Sequence, residues 1–181
     1  MPEVGDNAID KAALMITKLT QHSFDDYRHP LLGKTTACVS LIEGGSNINS
    51  VPDLVRFSID FRTVPTHAHT QLLSEMKDLF GPEAELTVLT DFPGFSTDPD
   101  EPDLKRLTGI LSERSGANVR HLGAPYFTDA SALVPGFGGV PTVVLGPGEV
   151  EQCHRTDEFC FVAKIEESRE IYEAMIETYC R

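Results

Sequence analysis

The residues best suited to chemistry lie in the stretch PTVVLGPGEVEQCHRTDE, residues 141–158. Residues 141–145 form a short β-branched run bounded by Gly and Pro, which predicts a strand buried on both faces. His154 follows a Gly-Pro-Gly turn at the carboxyl end of that strand, where parallel sheets bind ligands. A single histidine is not a metal site, so a surface histidine in a turn is favoured on spacing alone. A metal ligand is the sharper alternative.

Polar residues on an alternating strand form the second candidate group. Asp60 and Arg62 share the polar face of this strand. Arg62 could bind a substrate carboxylate through two hydrogen bonds, or pair with Asp60 on a solvated face, and the ion pair is the favoured interpretation. Asn49 lies in GGSNINSVP, where an ordinary turn residue is expected.

Two further clusters invite both a structural and a functional interpretation. Thr128 and Asp129 precede an apolar run, so they either cap a short helix or contact a ligand at its N-terminus. His67 and His69 stand two residues apart in the first turn of a helix and point to different faces, so we expect both to be solvated. The chain has no G-x-S-x-G elbow and no P-loop, which disfavours a serine hydrolase and a nucleotide phosphate site.

The hydrophobic periodicity indicates which elements position these residues. Residues 1–91 predict the order α-β-β-α-β, one strand short of the split βαβ sandwich. The first helix is capped by Asp6 or Asn7, and the strand at 52–62 alternates most regularly. The other expected elements are strands at 35–42, 86–89, 118–121 and 141–145 and helices at 66–80, 102–114 and 165–179.

A stretch rich in Pro, Gly and acidic residues, DFPGFSTDPDEP, marks the expected domain boundary. We therefore predict an α/β protein with one domain at residues 1–91 and another at 92–181. The first is an α+β domain of the split-βαβ type, and the second is β/α in style with too few strands for a complete sheet.

Charge and composition exclude several classes of partner. The 181 residues include 28 acidic and 15 basic ones, giving a net charge of −13 that repels nucleic acid and anionic lipid. The sequence predicts no membrane-spanning stretch and no signal peptide, so we expect a cytoplasmic protein. The four cysteines form no CxxC pair and, in a reducing compartment, are most simply free thiols.

Several motifs occur together in an order that identifies a family resemblance: MPEVGDNAIDKAA, GGSNINSVP, DFRTVP, TDASAL and VVLGPG followed by CHRTDEF. They resemble the acetylornithine deacetylase and succinyl-diaminopimelate desuccinylase family of dinuclear-zinc aminoacylases and carboxypeptidases. The resemblance implies that residues 1–91 are a lid domain that pairs into a homodimer and lacks its first strand. Residues 92–181 would then be the C-terminal portion of an incomplete α/β zinc-hydrolase domain.

The same resemblance assigns roles to the candidate residues. It makes His154 a zinc ligand, Asn49 and Arg62 substrate-binding residues of the lid, and Thr128 and Asp129 a substrate-side loop. The desuccinylases of the family carry an arginine shortly after that aspartate, where this sequence has Ser-Ala at 131–132.

The implied activity is hydrolysis of an N-acyl amino acid, with acetylornithine as the first choice of substrate. A desuccinylase or another aminoacylase is an alternative, and so is a stand-alone, non-catalytic dimerisation or regulatory module. The remaining zinc ligands and the general base of the family precede the position of Met1. We therefore expect this chain to be inactive alone and not to retain the two zinc ions of the intact enzyme.

Overall fold

The computed structural model describes residues 5–116, 118–153 and 155–180. The chain divides into two compact units, one formed by Met1–Phe95 with Pro125–Leu133 and the other by Ser96–Ala124 with Val134–Arg181. The helices and strands of the described residues are α1 (Ala8–Gln21), β1 (Thr36–Gly44), β2 (Val55–Arg62), α2 (His69–Phe80), α3 (Pro102–Ser115), α4 (Ala130–Gly136) and α5 (Val162–Tyr179).

The first unit is built on an antiparallel hairpin of β1 and β2 that is covered on one face. The register runs from Thr36 opposite Arg62 to Gly44 opposite Val55, with a bulge between Val39 and Leu41. The apolar residues of one face of the hairpin pack on buried residues of α1, α2 and the turn between α1 and β1, as the alternation of β2 predicts. The buried cluster consists of Leu19, Phe24, Leu72, Met76 and Phe80.

Local signals in the sequence fix where the helices of this unit begin and end. The Asn7 side chain accepts hydrogen bonds from the backbone N–H groups of Ile9 and Asp10, which confirms the predicted N-cap of α1. Gly81 ends α2 with a φ of 77°, a left-handed conformation that favours glycine, and its N–H donates to the carbonyl of Lys77.

The second unit centres on the pair of helices α3 and α5. Leu104 and Leu107 of α3 and Ile171 of α5 are its buried apolar side chains. The Tyr179 hydroxyl donates to the carbonyl of Asp103 at 2.7 Å, so the C-terminal end of α5 is held at the first turn of α3. The hydrophobic pattern predicts both helices, and α5 begins at Val162, three residues earlier than expected.

Three predicted strands are not strands in the structure. Residues 86–89, 118–121 and 141–145 have no hydrogen-bonded partner strand, and the described residues form a single two-stranded sheet. In the last of these segments, the backbone N–H of Thr142 donates to Thr97 Oγ1 at 2.8 Å and the carbonyl of Leu145 accepts from the Tyr172 hydroxyl. Side chains therefore form the hydrogen bonds to these backbone groups that a neighbouring strand would otherwise form. No helix in the described ranges is long and apolar enough to cross a membrane.

Candidate functional site

The candidate site is the end of β2, where Arg62 is the last residue of the strand. Its guanidinium Nε and Nη2 lie 2.9 Å and 2.8 Å from the same oxygen, Oδ2 of Asp60, and both side chains are about half exposed. The favoured interpretation of these two residues, an ion pair on a solvated sheet face, matches this geometry. Any carboxylate ligand that reached Arg62 would therefore compete with Asp60 for the guanidinium.

A histidine that follows this strand joins three segments. His69, the first residue of α2, contacts the Asp91 carboxylate through Nδ1 and lies 2.9 Å from Thr63 Oγ1 through Nε2. Thr63 directly follows Arg62 in the chain. The histidine therefore links the start of α2, the end of β2 and the segment that leaves the first unit.

Thr128 and Asp129 belong to the same compact unit as Arg62. The ring of Phe127 lies 5.5 Å from the ring of Phe92, so the loop before α4 packs on the segment that passes the end of β2. The carbonyl of Asp129 accepts from the N–H of Leu133 at 3.0 Å, which makes these residues the start of α4. The predicted short helix is therefore present.

Asn49 lies at the opposite end of the hairpin. It is exposed in the turn that connects β1 to β2, whereas Arg62 closes the far end of β2. A strand rises about 3.3 Å per residue, so the eight residues of β2 span roughly 23 Å between its first and last Cα atoms. All four predicted substrate-binding residues thus belong to the first unit, but Asn49 lies at the opposite end of the hairpin from Arg62.

The predicted metal ligand, His154, lies outside the described residues. Within the described ranges, no three His, Cys, Asp or Glu side chains are arranged to hold a metal ion. A hydrolytic zinc site needs three protein ligands and an open position for water. The described residues therefore do not supply a complete zinc site by themselves.

A second polar cluster, missed from the sequence, surrounds Glu75 of α2. Its Oε1 accepts a 2.7 Å hydrogen bond from the Tyr27 hydroxyl and lies 3.5 Å from Nε2 of His67. Its Oε2 lies 3.5 Å from Nε2 of His22. The His67 ring also stacks on Tyr27 at 3.8 Å and bonds the Thr35 hydroxyl through Nδ1 at 3.0 Å.

The expectation that both histidines of the HAH motif are solvated is wrong. His67 is buried because it precedes α2 and its ring packs against Tyr27 and Thr35 instead of joining the helix. His69, the first residue of α2, is partly buried and contacts Thr63 and Asp91. The sequence did contain a signal. Glu75 falls on the apolar stripe of α2, three residues after Leu72 and one before Met76, and a carboxylate on a buried face needs polar partners.

Burial also sets the protonation of this cluster. Desolvation lowers the pKa of His67 below its ordinary value of 6.5, and the nearby Glu75 carboxylate opposes that shift only in part. The hydrogen bond to Glu75 raises the pKa of Tyr27 because it stabilises the protonated phenol. The folded protein therefore favours a neutral His67 ring.

Comparison with known proteins shows which family model and which proteins the chain is similar to. Residues 1–87 match the family model of the peptidase dimerisation domain. The acetylornithine deacetylases of Buchnera aphidicola (subsp. Schizaphis graminum) and Proteus mirabilis are each 28% identical to this chain over 99% of its length, which is 48% and 47% of theirs. The chain spans about half the length of these relatives. The resemblance predicted from the motifs is confirmed.

The solved structure of aminopeptidase PepT from Bacillus cereus matches the fold with a TM-score of 0.72. The two chains are 25% identical, and the match covers 99% of this chain and 47% of that one. The α/β fold class is confirmed, and the chain is related to a group of hydrolases that includes deacetylases and aminopeptidases.

The depressed pKa of His67 predicts a loss of stability in mild acid. The unfolded ring binds its proton more readily than the folded one. The contribution of His67 to the free energy of unfolding is therefore fully present above pH 6.5 and decreases as the pH drops below that value. Chemical denaturation at a series of pH values measures this dependence. In His67→Asn the fall should be smaller, whereas the control His29→Asn should keep it. Equal pH dependence in wild type and His67→Asn would contradict the assignment.

Proposed function

We propose that this chain provides the dimerisation and substrate-binding part of a metal-dependent amidohydrolase acting on an N-acyl amino acid, with acetylornithine as the first choice. The observation that supports it most is the similarity to acetylornithine deacetylases along 99% of the chain. The grouping of Arg62 with Thr128 and Asp129 in one compact unit adds to it. We also propose a cytoplasmic location, in keeping with four free, exposed cysteines.

Arg62 is the proposed partner of the substrate carboxylate. An N-acyl amino acid keeps its α-carboxylate, and a guanidinium fork binds a carboxylate through two charge-assisted hydrogen bonds. Asp60 holds the fork in the absence of substrate, so binding exchanges one carboxylate for another. Thr128 and Asp129 are proposed to contact the same ligand from the start of α4.

The identity of the acyl group rests on the residues just after Asp129. A succinyl group ends in a second carboxylate that needs a cation, whereas an acetyl group is neutral and needs none. The helix that begins after Asp129 carries Ser131 and Ala132 at its start and contains no basic residue. This favours acetyl over succinyl. A desuccinylase or another aminoacylase of the same family remains the nearest alternative.

Asn49 and Arg62 are proposed to serve substrate from separate positions. The roughly 23 Å length of β2 separates the two ends of the strand, more than a small N-acyl amino acid can span. Within one copy they cannot bind the same molecule if both remain at their ends of the hairpin. We propose that Asn49 contacts a substrate molecule bound at a different site from the one that Arg62 of the same copy forms.

His154 is proposed as a single ligand of zinc, with the other ligands supplied by residues outside this chain. Zinc bound in such a site would polarise the acyl carbonyl and activate water.

A different class of function is a stand-alone dimerisation or regulatory module, which the match of residues 1–87 to a dimerisation domain favours. The two proposals differ in whether the chain recognises an N-acyl amino acid.

Arg62→Ala tests substrate recognition directly. Loss of the guanidinium removes charge-assisted hydrogen bonds worth about 1.5–3 kcal/mol each, so affinity for N-acetyl-L-ornithine should fall at least tenfold. NMR titration of the 181-residue chain measures the dissociation constant. Asp60→Asn should bind several-fold more tightly because the competing carboxylate is lost.

The matched control for this experiment is Arg56→Ala. Arg56 is exposed on the same polar face of β2 and lies opposite Glu43. Its removal changes the net charge equally but should leave the dissociation constant unchanged. Equal weakening by the two variants would indicate non-specific attraction. Absence of saturable binding by the wild-type chain would favour the stand-alone module.

The zinc proposal predicts a chain without activity of its own. Purified protein incubated with zinc and then desalted should retain no stoichiometric metal, and it should release no acetate from N-acetyl-L-ornithine. Metal analysis by mass spectrometry and an acetate assay give the two readings. Stoichiometric zinc with turnover would contradict the proposal that further ligands come from outside the chain.

The dimerisation proposal predicts a particle of twice the mass of one chain in light scattering. Leu41 of β1 is 64% exposed and lies opposite Ser58 on the polar face of the hairpin. Leu41→Glu should shift the particle to the mass of one chain, because it places a charge in a surface that would be buried by pairing. Ile48→Glu, in the turn between the strands, is the control and should not. A monomeric wild type would contradict the proposal.

A further inference from the structure

His69 is not among the residues proposed to bind substrate. Its Nδ1 contacts the Asp91 carboxylate, whose oxygens accept hydrogen bonds, so we assign the proton to this nitrogen. In that tautomer Nε2 is an acceptor, and the Thr63 hydroxyl 2.9 Å away donates to it. One ring thus receives a bond from the end of β2 and gives one to residue 91.

The crossing segment, residues 91–95, runs directly against the backbone that follows Arg62. A Cβ added to Gly94 would lie only 2.7 Å from the carbonyl oxygen of Thr63, a distance that real Cβ atoms do not show. The absence of a side chain at Gly94 therefore permits this approach. Gly94 thus permits the close approach of the crossing segment to Thr63, and the His69 ring links the two through its contacts with Asp91 and Thr63.

The crossing segment also packs against the loop that contains Thr128. Phe92, which follows Asp91, packs against Phe127 with their ring centroids 5.5 Å apart. Residues 125–133 are grouped with the first unit although the chain on either side of them belongs to the second. The physical route from His69 to Thr128 is thus a short chain of contacts through Asp91, Phe92 and Phe127.

We propose that His69 is a positioning residue that fixes the crossing segment, and with it the Thr128 loop, beside Arg62. This inference rests on the proposed function for its effect on substrate, but the restraint itself is independent of it. The His69 ring touches no ligand in this role. It sets the place of Thr128 and Asp129 through Asp91 and the Phe92–Phe127 contact.

Amide hydrogen exchange of the 181-residue chain tests the restraint. His69→Ala should raise exchange about tenfold at residues 131–133, whose amides donate to the carbonyls of Thr128 and Asp129, with the amides of β1 and β2 unchanged. The matched control is His121→Ala, because His121 Nε2 lies 3.0 Å from the Thr108 hydroxyl in the second unit and repeats the histidine–threonine pair. Its effect should remain near residue 108.

Conservative variants separate the two bonds of the ring. Asparagine places its amide nitrogen near the position of Nδ1 and can still donate to Asp91, whereas glutamine reaches the position of Nε2 and can bond only Thr63. His69→Asn should therefore restore protection of residues 131–133 and His69→Gln should not. Nitrogen NMR of the wild-type ring should show the proton on Nδ1. Unchanged exchange in His69→Ala, or a proton on Nε2 alone, would overturn the proposal.

Ligand binding then reports whether the restraint matters for substrate. The dissociation constant for N-acetyl-L-ornithine should rise about tenfold in His69→Ala, stay at the wild-type value in His121→Ala and recover in His69→Asn. If wild type and Arg62→Ala both fail to bind, the proposed function is wrong while the exchange data still decide the restraint. If wild type binds and His69→Ala binds equally well, the positioning role is overturned.

Discussion

The fold of the first unit depends on burying one face of the β1–β2 hairpin. A two-stranded sheet is marginal in water by itself, so its backbone hydrogen bonds persist only when a helix layer covers one side. The helices α1 and α2 and the turn that contains Phe24 provide that layer. Because the register is set by which side chains enter this core, the same burial decides that Arg62 closes one end of the hairpin and that the turn with Asn49 closes the other.

Polar groups at the margin of this core show how the layer is held in place. Glu75 enters an otherwise apolar stripe of α2, and a carboxylate there would be costly without partners. Tyr27 supplies a hydrogen bond from the segment before β1, and the Nε2 atoms of His22 and His67 each lie 3.5 Å from a carboxylate oxygen without forming a hydrogen bond in the described structure. The cluster therefore connects three parts of the chain through one carboxylate. Its cost and its benefit are both electrostatic, which makes it more sensitive to solution conditions than the apolar core beside it.

The sequence is most informative where local signals and the hydrophobic pattern agree. The alternation of β2, the Asn7 cap and the glycine after α2 each have a local physical cause, and the structure has each of them. The strand expected at residues 141–145 requires a neighbour that periodicity cannot reveal. Among the described residues none pairs with it, and side chains from Thr97 and Tyr172 bond its backbone instead.

The candidate site likewise combines residues that the sequence identifies with contacts that it does not reveal. Residue types identify Arg62, Asp60 and the Thr128 loop, because a guanidinium, a carboxylate and a helix start have intrinsic chemistry. The role of His69 depends on Asp91, which is 22 residues away in the chain, and that pairing results from the path of the crossing segment. The burial of His67 has a similar origin. Contacts between residues distant in sequence are therefore the part that the sequence alone cannot supply.

The bulge in β1 has a consequence for how this hairpin can change in evolution. Ala37 and Val39 pack toward the core, and beyond the bulge Ile42 lies opposite the core-packed Phe57, so the positions of β1 on this face pass from odd to even numbers. Ser40 is the residue that absorbs this change of phase. Loss of one residue there would leave the pairs on both sides intact, whereas loss of one elsewhere in β1 would turn part of the strand over. Position 40 is therefore where a length difference between related hairpins is best tolerated.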